Sequence, residues 1–544
     1  MTGERGTAGR RAATLIAVMT ARRAVRSGAV WGTVFGLLVL NEAVSYHTNF
    51  PTVASREKFA QAFGGNAGFA AVIGSGRRLD TIGGFVAWRV FGLLIIVGAI
   101  WGLLTATRLL RGEEDAGRWE LLLSGRTTRR RATLQAIGGL AAGFVVVWTL
   151  TAAFTLAAGS RSSVGFSTAD SLFYATAATA SAAVFLAVGA LASQLSPTRR
   201  QANGLAAAVL GVSLVIRMVA DSGNGLGWLR WASPLGWIEN LRPLTGSQPL
   251  ALIPVALLVL AAAGAAVVVA GWRDVGTGVL VRPEAAHTST RLLGGPAMLV
   301  VRLERWVALS WIAALALLAV IFGIVARSAA QANFGIKTLE PALGHLNGHE
   351  SVAAVWIGYE YLYLAALLAL AAAGQISAMR NEEASGQLDN LLARPLSRRT
   401  WLVGRLGFGV VLIAAAGLAS GIGGWIGLAT GPSDIGLLAM LQAGMNVTAP
   451  ALLVLGVGTL LYGLAPRRAM PILYALILWS FVIQIVGSTI TTNRWLLDTA
   501  VLSHLGPVPA TGLDWTAIAW LIGIGVIAAL VGQIAFDRRD LAGA

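Results

Sequence analysis

The residues with the clearest chemical pattern belong to an acidic motif that occurs twice, 269 residues apart. The first copy contains Glu113, Glu114, Gly117 and Glu120, and the second contains Glu382, Glu383, Gly386 and Asp389. In each copy a pair of leucines and then a basic cluster follow. Acids at the start of a helix and arginines at its end both suit the helix dipole, and the leucines give one apolar stripe. The pattern predicts a short amphipathic helix of the kind that docks in a groove of a partner protein.

A simpler interpretation of the motif is a charged connecting loop that only sets the topology of the chain. Both copies keep the acid pair, the glycine, the acid after the glycine and the two leucines. This repetition favours docking. Two further landmarks recur in the same order, 195–199 as 464–468 and 233–236 as 503–506. The chain is therefore predicted to be a tandem duplication.

Other residue patterns do not indicate catalysis or metal binding. The sequence has no Gly-x-x-x-x-Gly-Lys-Ser/Thr phosphate-binding loop and no cysteine, and no nucleophile motif or carboxylate pair in a loop suggests an enzyme active site. His345, His349 and Glu350 have a spacing that a metal could use, but a third strong ligand is lacking. We expect neither an enzyme active site nor a metal or cofactor site in this chain.

Among the charged residues within the apolar segments, four stand out, because ionisable groups there are costly and usually face a cavity or a partner. Arg89 precedes Glu113 by 24 residues and Glu360 precedes Glu382 by 22, so the two occupy nearly the same place in the two halves. They are candidates for a pair across the halves, and Glu42 and Arg217 for a second pair. We assign these four residues to a cavity or gate. The alternative is that each side chain reaches the nearby membrane interface.

Composition places these residues in a membrane protein, since 56% of the 544 residues are hydrophobic and 12% are charged. Apolar segments long enough to cross a bilayer as helices number six in each half, which predicts an all-α polytopic protein with 12 transmembrane helices. They lie near 28–46, 85–110, 132–158, 170–194, 202–221 and 249–271, then near 306–327, 353–378, 402–430, 436–463, 469–489 and 515–535. An even number per half gives two repeats of six in the same orientation. Glycines such as Gly139 and Gly143 in the third segment, and Gly423 and Gly427 in the ninth, indicate close helix packing.

The basic residues indicate the orientation of the chain. The net charge of +16 does not point to nucleic acid, because most of the Lys and Arg residues lie in segments on one side of the predicted spans. The positive-inside rule places the motifs and both termini in the cytoplasm. A cytoplasmic linker at 272–300 separates a first half, 1–271, from a second, 301–544. The basic amphipathic stretches 15–26 and 299–306 suit helices in the headgroup layer or, alternatively, solvated helix starts.

Residues 381–398 resemble the cytoplasmic loop of ABC-2 type exporter permeases, which runs roughly Glu-x-x-x-Gly-x-Leu-Glu-x-Leu-Leu-x-x-Pro-x-Ser-Arg. In that family the loop carries the coupling helix that contacts the ATPase subunit. The resemblance assigns coupling to the acids and glycines of both motifs, together with Leu391, Leu392 and Pro395 in the second copy and Leu122 and Leu123 in the first. The first copy departs from the pattern at Arg126, where the family has proline. The six-plus-six arrangement is similar to the fused, actinobacterial tetronasin-type antibiotic permeases.

The resemblance implies the membrane-spanning permease subunit of an ATP-driven exporter of amphiphilic compounds, such as antibiotics or lipid-like molecules, in the bacterial inner membrane. Two copies of a separate nucleotide-binding subunit would supply ATP and Mg, and the loop acids would face these partners and serve transmission rather than folding. A proton-coupled secondary multidrug transporter is the alternative, and it would require acids buried near the membrane midplane. A membrane scaffold without transport activity also fits the hydropathy but leaves the repeated motif unexplained.

Overall fold

The computed structural model describes residues 2–64, 74–123, 127–221, 225–274, 278–279, 294–331, 352–431, 433–490 and 494–541. Every regular element in these ranges is a helix. The all-α class predicted from composition is therefore confirmed for the described part of the chain. The chain divides into two compact units, Met1–Ala286 and His287–Ala544.

The first unit contains eleven α-helices among its described residues. They are α1 (Thr2–Asn49), α2 (Val53–Gly64), α3 (Ile82–Val86), α4 (Gly92–Leu109), α5 (Arg111–Asp115), α6 (Arg118–Leu123), α7 (Arg129–Gly159), α8 (Thr168–Leu195), α9 (Arg199–Asp221), α10 (Pro234–Glu239) and α11 (Leu252–Ala270). A π-helical turn, Ala87–Phe91, joins α3 to α4, and short 3-10 helices cover Gly227–Ala232 and Pro249–Ala251.

The second unit contains nine α-helices in the part that the structure describes. They are α12 (Pro296–Gln331), α13 (Val352–Ala384), α14 (Gln387–Leu392), α15 (Arg398–Leu428), α16 (Leu437–Asn446), α17 (Thr448–Leu464), α18 (Pro466–Ile490), α19 (Arg494–Leu497) and α20 (Trp515–Arg538). A 3-10 helix covers Val501–His504.

Eleven helical segments of the described residues are long and apolar enough to cross a membrane. They are Thr14–His47, Ile82–Asp115, Arg129–Gly159, Thr168–Leu195, Arg199–Asp221, Pro249–Ala270, Ala297–Arg327, Val352–Ala384, Arg398–Leu428, Leu437–Leu464 and Trp515–Arg538. Each coincides with one of the twelve predicted spans. The remaining prediction, 469–489, falls on α18, which is not among the eleven. The exact count of twelve therefore stays a prediction.

The two units use the same packing scheme, considered separately. In the first unit α1 packs along α7, α4 along α8, and α8 against α11. In the second unit α12 packs along α15, α13 along α17, and α17 along α20. In both, the first span therefore packs on the third, the second on the fourth, and the fourth on the sixth. This common scheme is the structural counterpart of the sequence repeat.

Glycines bring the first and third spans of each unit close together. A Cβ atom at Gly143 of α7 would meet the backbone and side chain of Ala24 on α1. A Cβ atom at Gly427 of α15 would meet the carbonyl oxygen of Val320 on α12. The prediction that these glycines serve helix packing is confirmed, because only the missing side chain permits this approach.

The basic stretches 15–26 and 299–306 are continuous with the spans that follow them, which agrees with the alternative of helix starts and not with separate helices in the headgroup layer. The first lies inside α1 and the second inside α12, and both helices continue into the following apolar segment. The physical reason is the lack of a helix breaker, since no proline occurs between Thr2 and Asn49 and the one in α12, Pro296, is at its first position.

Candidate functional site

Both copies of the acidic motif adopt the same backbone turn. Gly117 and Gly386 have φ angles of 71° and 70°, in the left-handed region that only glycine adopts without strain. The Gly117 amide donates to the carbonyl of Glu114 over 2.9 Å, and the Gly386 amide to that of Glu383 over 3.0 Å. The turn ends the helix of the second span and starts the short helix α6 or α14. We call this end of each unit the motif end.

The second acid of each motif forms a buried ion pair with an arginine that follows the sixth span. Arg273 donates to both carboxylate oxygens of Glu114, over 2.7 and 2.6 Å. Arg539 donates to both oxygens of Glu383, over 2.6 and 2.7 Å. The Glu114 and Glu383 side chains are each 3% exposed. Two parallel charge-assisted bonds fix both the distance and the orientation of the partners.

A second arginine completes each arrangement from the start of the third span. Arg129 donates to the backbone carbonyl of Arg273, and Arg398 donates to that of Arg539 over 2.7 Å. Arg129 and Arg398 are themselves 269 residues apart and occupy the first position of α7 and α15. We refer to Glu114, Arg273 and Arg129, and likewise Glu383, Arg539 and Arg398, as the two clasps.

The surroundings of the two clasps differ in chemistry. In the first, Gln194 of α8 accepts hydrogen bonds from Arg273 over 3.0 and 2.8 Å. In the second, the Arg539 guanidinium lies over the rings of Tyr462 and Phe536, 5.0 and 5.1 Å from their centres. Burial lowers the pKa of Arg539, but the hydrogen bond and charge of Glu383 outweigh it and raise that pKa overall. Arg539 therefore keeps its positive charge beside Glu383.

The clasps correct one expectation and add four residues. Glu114 and Glu383 were expected to face a partner protein, and this is wrong because both are buried against arginines of the same unit. Sequence reasoning missed the arginines because they lie 159 and 156 residues after their glutamates, or at the start of the third span. One signal was available, since an Arg-Asp pair follows the sixth span of each half, at 273–274 and 539–540.

The first acid of each motif ties the loop to other helices. Glu113 accepts hydrogen bonds from Arg23 of α1 over 2.6 Å and from Arg118 of α6 over 2.6 and 2.8 Å. Glu382 forms an ion pair with Arg405 of α15. The loop is thus connected to the first span in one unit and to the third span in the other.

The acid that follows the glycine in each motif is exposed. Glu120 and Asp389 are exposed at equivalent positions of α6 and α14. Directly before them, Trp119 and Leu388 are buried and anchor the short helices. Arg126, where the family pattern has proline, lies outside the described residues. In both units the short motif helix is therefore anchored by an apolar residue and exposes an acid at the next position.

An apolar groove of about 380 Å³ adjoins the second motif. Its walls come from the start of α12, the motif helix α14 and the start of α15, and they include Leu299, Leu303, Leu391, Pro395 and Trp401. Glu382 and Arg394 add charged groups to the lining, and an apolar centre with a polar rim is the usual make-up of a protein interface.

The second repeated landmark meets the motif in the first unit. Arg111 of α5 donates to the carbonyl of Pro197, and the Arg199 amide donates to the carboxylate of Asp115 over 2.7 Å. Two of the landmarks that stand out in the sequence are therefore in direct contact at the motif end. The turn before α9 helps to position the loop.

Three of the four charged residues assigned to a cavity or gate, Glu42, Arg89 and Arg217, lie near charged partners other than the predicted ones. Glu42 lies 3.9 Å from Arg89, so the predicted pair of Glu42 with Arg217 is wrong. Arg217 instead lies 3.8 Å from Asp221 and 3.9 Å from Glu239. These partners follow Arg217 within one unit, which an alignment of the halves could not indicate.

Glu360 is buried within α13, and its Oε2 atom has no hydrogen-bond partner among the residues that the structure describes. A pair with Arg89 would join the two units and stays a prediction. His345, His349 and Glu350 lie outside the described residues. Within the described ranges, no group of three or more His, Asp or Glu side chains could hold a metal ion.

The comparisons with known proteins identify the family. The family model described as the C-terminal domain of the multidrug efflux system permease Rv1217c matches residues 53–273 and 293–537, which include both motifs. The chain belongs to this family. It is also similar to the multidrug efflux system permease protein Rv1217c of Mycobacterium tuberculosis (strain ATCC 25618 / H37Rv), at 28% identity over 512 residues, covering 91% of this chain and 89% of that protein.

Membership in the Rv1217c permease family makes the chain a multi-pass membrane protein and a transporter component rather than an enzyme. Each clasp joins the second, third and sixth spans of one unit at a single point, and Glu120 or Asp389 remains exposed.

Proposed function

We propose that this chain is the membrane-spanning permease subunit of an ATP-driven exporter of amphiphilic compounds, such as antibiotics or lipid-like molecules. Two copies of a separate nucleotide-binding subunit supply ATP and Mg, one docking on each motif loop. The observation that carries the proposal is the duplicated geometry, because both loops have the left-handed glycine, the clasp and the outward acid. Efflux of drugs is supported by the name of the related permease.

The motif end is proposed to face the cytoplasm of a bacterial cell, across the inner membrane. The support is the concentration of arginines in the connecting segments at that end, which the positive-inside rule places inside. Both termini then lie in the cytoplasm, and the ATPase subunits have access to both loops.

The clasps give the proposed cycle a mechanical basis. A force on α6 or α14 is transmitted to the second, third and sixth spans of the same unit, because the bidentate ion pair and the arginine behind it connect all three. Closure of the partner ATPases on ATP binding would move the two loops and change access to the substrate path. This coupling is a two-state event of the kind seen in other switches that act through packed helices.

The first prediction tests docking with the double variant Glu120→Ala/Asp389→Ala. The wild-type chain is expected to co-purify from its native host with an ABC-type ATPase at one permease to two ATPases. The double variant should weaken this association about tenfold, because exposed acids at an interface centre orient the partner. Association is measured by quantitative mass spectrometry. Substrate-stimulated ATPase activity is measured in reconstituted vesicles. Asp434→Ala, an exposed acid before α16, is the matched control and should change neither quantity.

Two outcomes would contradict the proposal. One is a reconstituted chain that exports an amphiphile without any ATPase and responds to a proton gradient, as a secondary transporter does. The other is an unchanged association in the double variant, which would reduce the loops to connectors that only set topology.

A further inference from the structure

A basic cavity lies in the first unit at the end opposite to the motif end. Its walls come from the loop 74–77, the π-helical turn Ala87–Phe91, the end of α9, and the end of α10 with the chain that follows it. The side chains that matter most are Arg77, Trp88, Phe91, Arg217, Glu239 and Arg242. All of these residues belong to one unit, and the cavity is separate from both clasps.

The charges that line the cavity do not balance. Three of the lining residues are arginines and one, Glu239, is an acid. Asp221, just behind the wall, is held by Arg230 over 2.6 Å and adds no net charge with it. One Glu239 oxygen already accepts from the Ser75 amide over 3.3 Å. The cavity therefore has an excess of positive charge, and an anion would balance it.

Two of the lining arginines, Arg77 and Arg242, each show a separate sign that an anionic partner is missing from the cavity. Burial lowers the pKa of Arg77, and the neighbouring charges of Arg242 and Arg230 lower it further. The Nε atom of Arg242 is buried without a hydrogen-bond partner among the described residues. A buried guanidinium donor normally has an acceptor, so an oxyanion is the expected complement.

The backbone around the cavity is unusual for a purely structural wall. Arg242 and Leu244 have φ angles of 46° and 62°, in the left-handed region that non-glycine residues seldom adopt. Trp88 and Phe91 belong to the π-helical turn, a feature that is frequent at functional sites. Strained or irregular backbone converges on the same cavity from two different segments, in agreement with a binding role.

The size of the cavity limits what it holds. Its volume is about 40 Å³ for the centres of water-sized spheres, and one water needs roughly 10 to 15 Å³ on that measure. A headgroup of a few atoms fits, whereas a whole drug-sized molecule does not. The aromatic side chains of Trp88 and Phe91 offer an apolar surface beside the arginines. The remainder of the ligand would then be an apolar body outside the cavity.

We propose that this cavity binds the oxyanion headgroup, a phosphate ester or a carboxylate, of an anionic amphiphile. Arg77 and Arg242 contact the headgroup, Arg217 adds charge from behind, and Trp88 and Phe91 contact the first part of the apolar chain. The proposal does not depend on ATP or on the partners at the motif end. It assigns to the first unit a ligand site that the sequence repeat does not place in the second.

Binding is tested on the full-length chain in zwitterionic nanodiscs. The probes are dodecyl phosphate, dodecanoate, inorganic phosphate and dodecyltrimethylammonium, measured by isothermal titration calorimetry. We expect dodecyl phosphate or dodecanoate to bind, and the difference between them identifies the headgroup chemistry. Arg77→Gln and Arg242→Gln should each weaken that binding about tenfold. Arg161→Gln, an exposed arginine between α7 and α8, is the matched control and should leave it unchanged.

A variant that is expected to tighten binding separates an effect on the site from misfolding. Glu239→Gln removes the one acid of the lining and keeps an oxygen for the Ser75 amide, so binding of the anionic probe should become several-fold tighter. Loss of folding cannot produce a tighter site. Equal affinity in wild type, Arg77→Gln and Arg242→Gln would overturn the proposal. If inorganic phosphate bound as tightly as dodecyl phosphate, the proposal that the ligand has an apolar chain would be wrong. If the dodecyltrimethylammonium cation bound, the proposal that the headgroup is an anion would be wrong.

Discussion

At the residue scale, the pair of Glu383 and Arg539 is buried on the carboxylate side and 15% exposed on the guanidinium side. A pair of this kind contributes little net stability compared with an apolar replacement, but removing only one partner is costly because it leaves a buried charge uncompensated. The same holds for Glu114 and Arg273 in the first unit. These residues are therefore structural in the first place.

The second prediction follows for the variant Glu383→Ala. We expect the free energy of unfolding in detergent, followed by tryptophan fluorescence, to fall by about 3 kcal/mol, because Arg539 is left without its carboxylate. Asp389→Ala, an exposed acid of the same motif, should change it by less than about 0.5 kcal/mol. The double variant Glu383→Ala/Arg539→Ala should lose less than the sum of the single losses. Additive losses would show that the two side chains do not depend on each other.

The sequence singled out the acids of the motif but did not predict which of them are buried. Glu120 and Asp389 face outward as expected, because a position seven residues into an amphipathic pattern is set by local periodicity. Glu114 and Glu383 do not, because their burial depends on arginines more than 150 residues away. Long-range partners of this kind leave no mark in local spacing, and only the repeated Arg-Asp pair pointed to them.

At the element scale, Gly386 joins α13 to α14 through its positive φ angle. The third prediction is that Gly386→Ala lowers the free energy of unfolding by about 1 kcal/mol, because the left-handed conformation is energetically unfavourable for a residue with a side chain. No atom lies within 4 Å of the added Cβ, so the loss is conformational and not steric. Gly374→Ala in the middle of α13, equally free of neighbours, should instead be neutral or stabilising. Equal effects at both positions would contradict this explanation.

The contact between α12 and α15 gives the fourth prediction. Gly427→Ala should lower the free energy of unfolding by about 1 to 3 kcal/mol, because its Cβ would press on the Val320 carbonyl and force the helices apart. Gly407→Ala in the same helix meets no atom within 4 Å and serves as the control. Chemical denaturation in detergent measures both. A loss at Gly407 as large as that at Gly427 would point to helix propensity or lipid contact instead.

The spans themselves were predictable, since composition alone places a helix at every long apolar segment. Their lengths were not, as the continuation of α1 from Thr2 to Asn49 demonstrates. Hydropathy ends a span at the first arginines, whereas a helix ends only where a breaker or a cap occurs.

At the scale of the whole molecule, each unit has its own hydrophobic core. One cluster of buried residues lies within the first unit and others lie within the second. The fifth prediction is that a protease site inserted within 280–293 permits cleavage of the purified chain without unfolding either unit. The thermal unfolding midpoint, measured by tryptophan fluorescence before and after cleavage, should be unchanged. The control is the same chain with the protease site inserted within α15 instead, and its cleavage should unfold the second unit. Loss of structure after cleavage at 280–293 would contradict the prediction that the two cores are independent.

The clasps also impose an order on biosynthesis. Glu114 leaves the ribosome 159 residues before Arg273 does, and Glu383 leaves it 156 residues before Arg539. At roughly 5 to 20 residues per second, each loop is made about 8 to 30 s before the arginine that will bury its carboxylate exists. During that interval the membrane helices of a unit are inserted one after another while the loop beside them still lacks this arginine. A complete unit thus differs chemically from a partly synthesised one. Only after the sixth helix has been made can the arginine that follows it bury the carboxylate of Glu114 or Glu383.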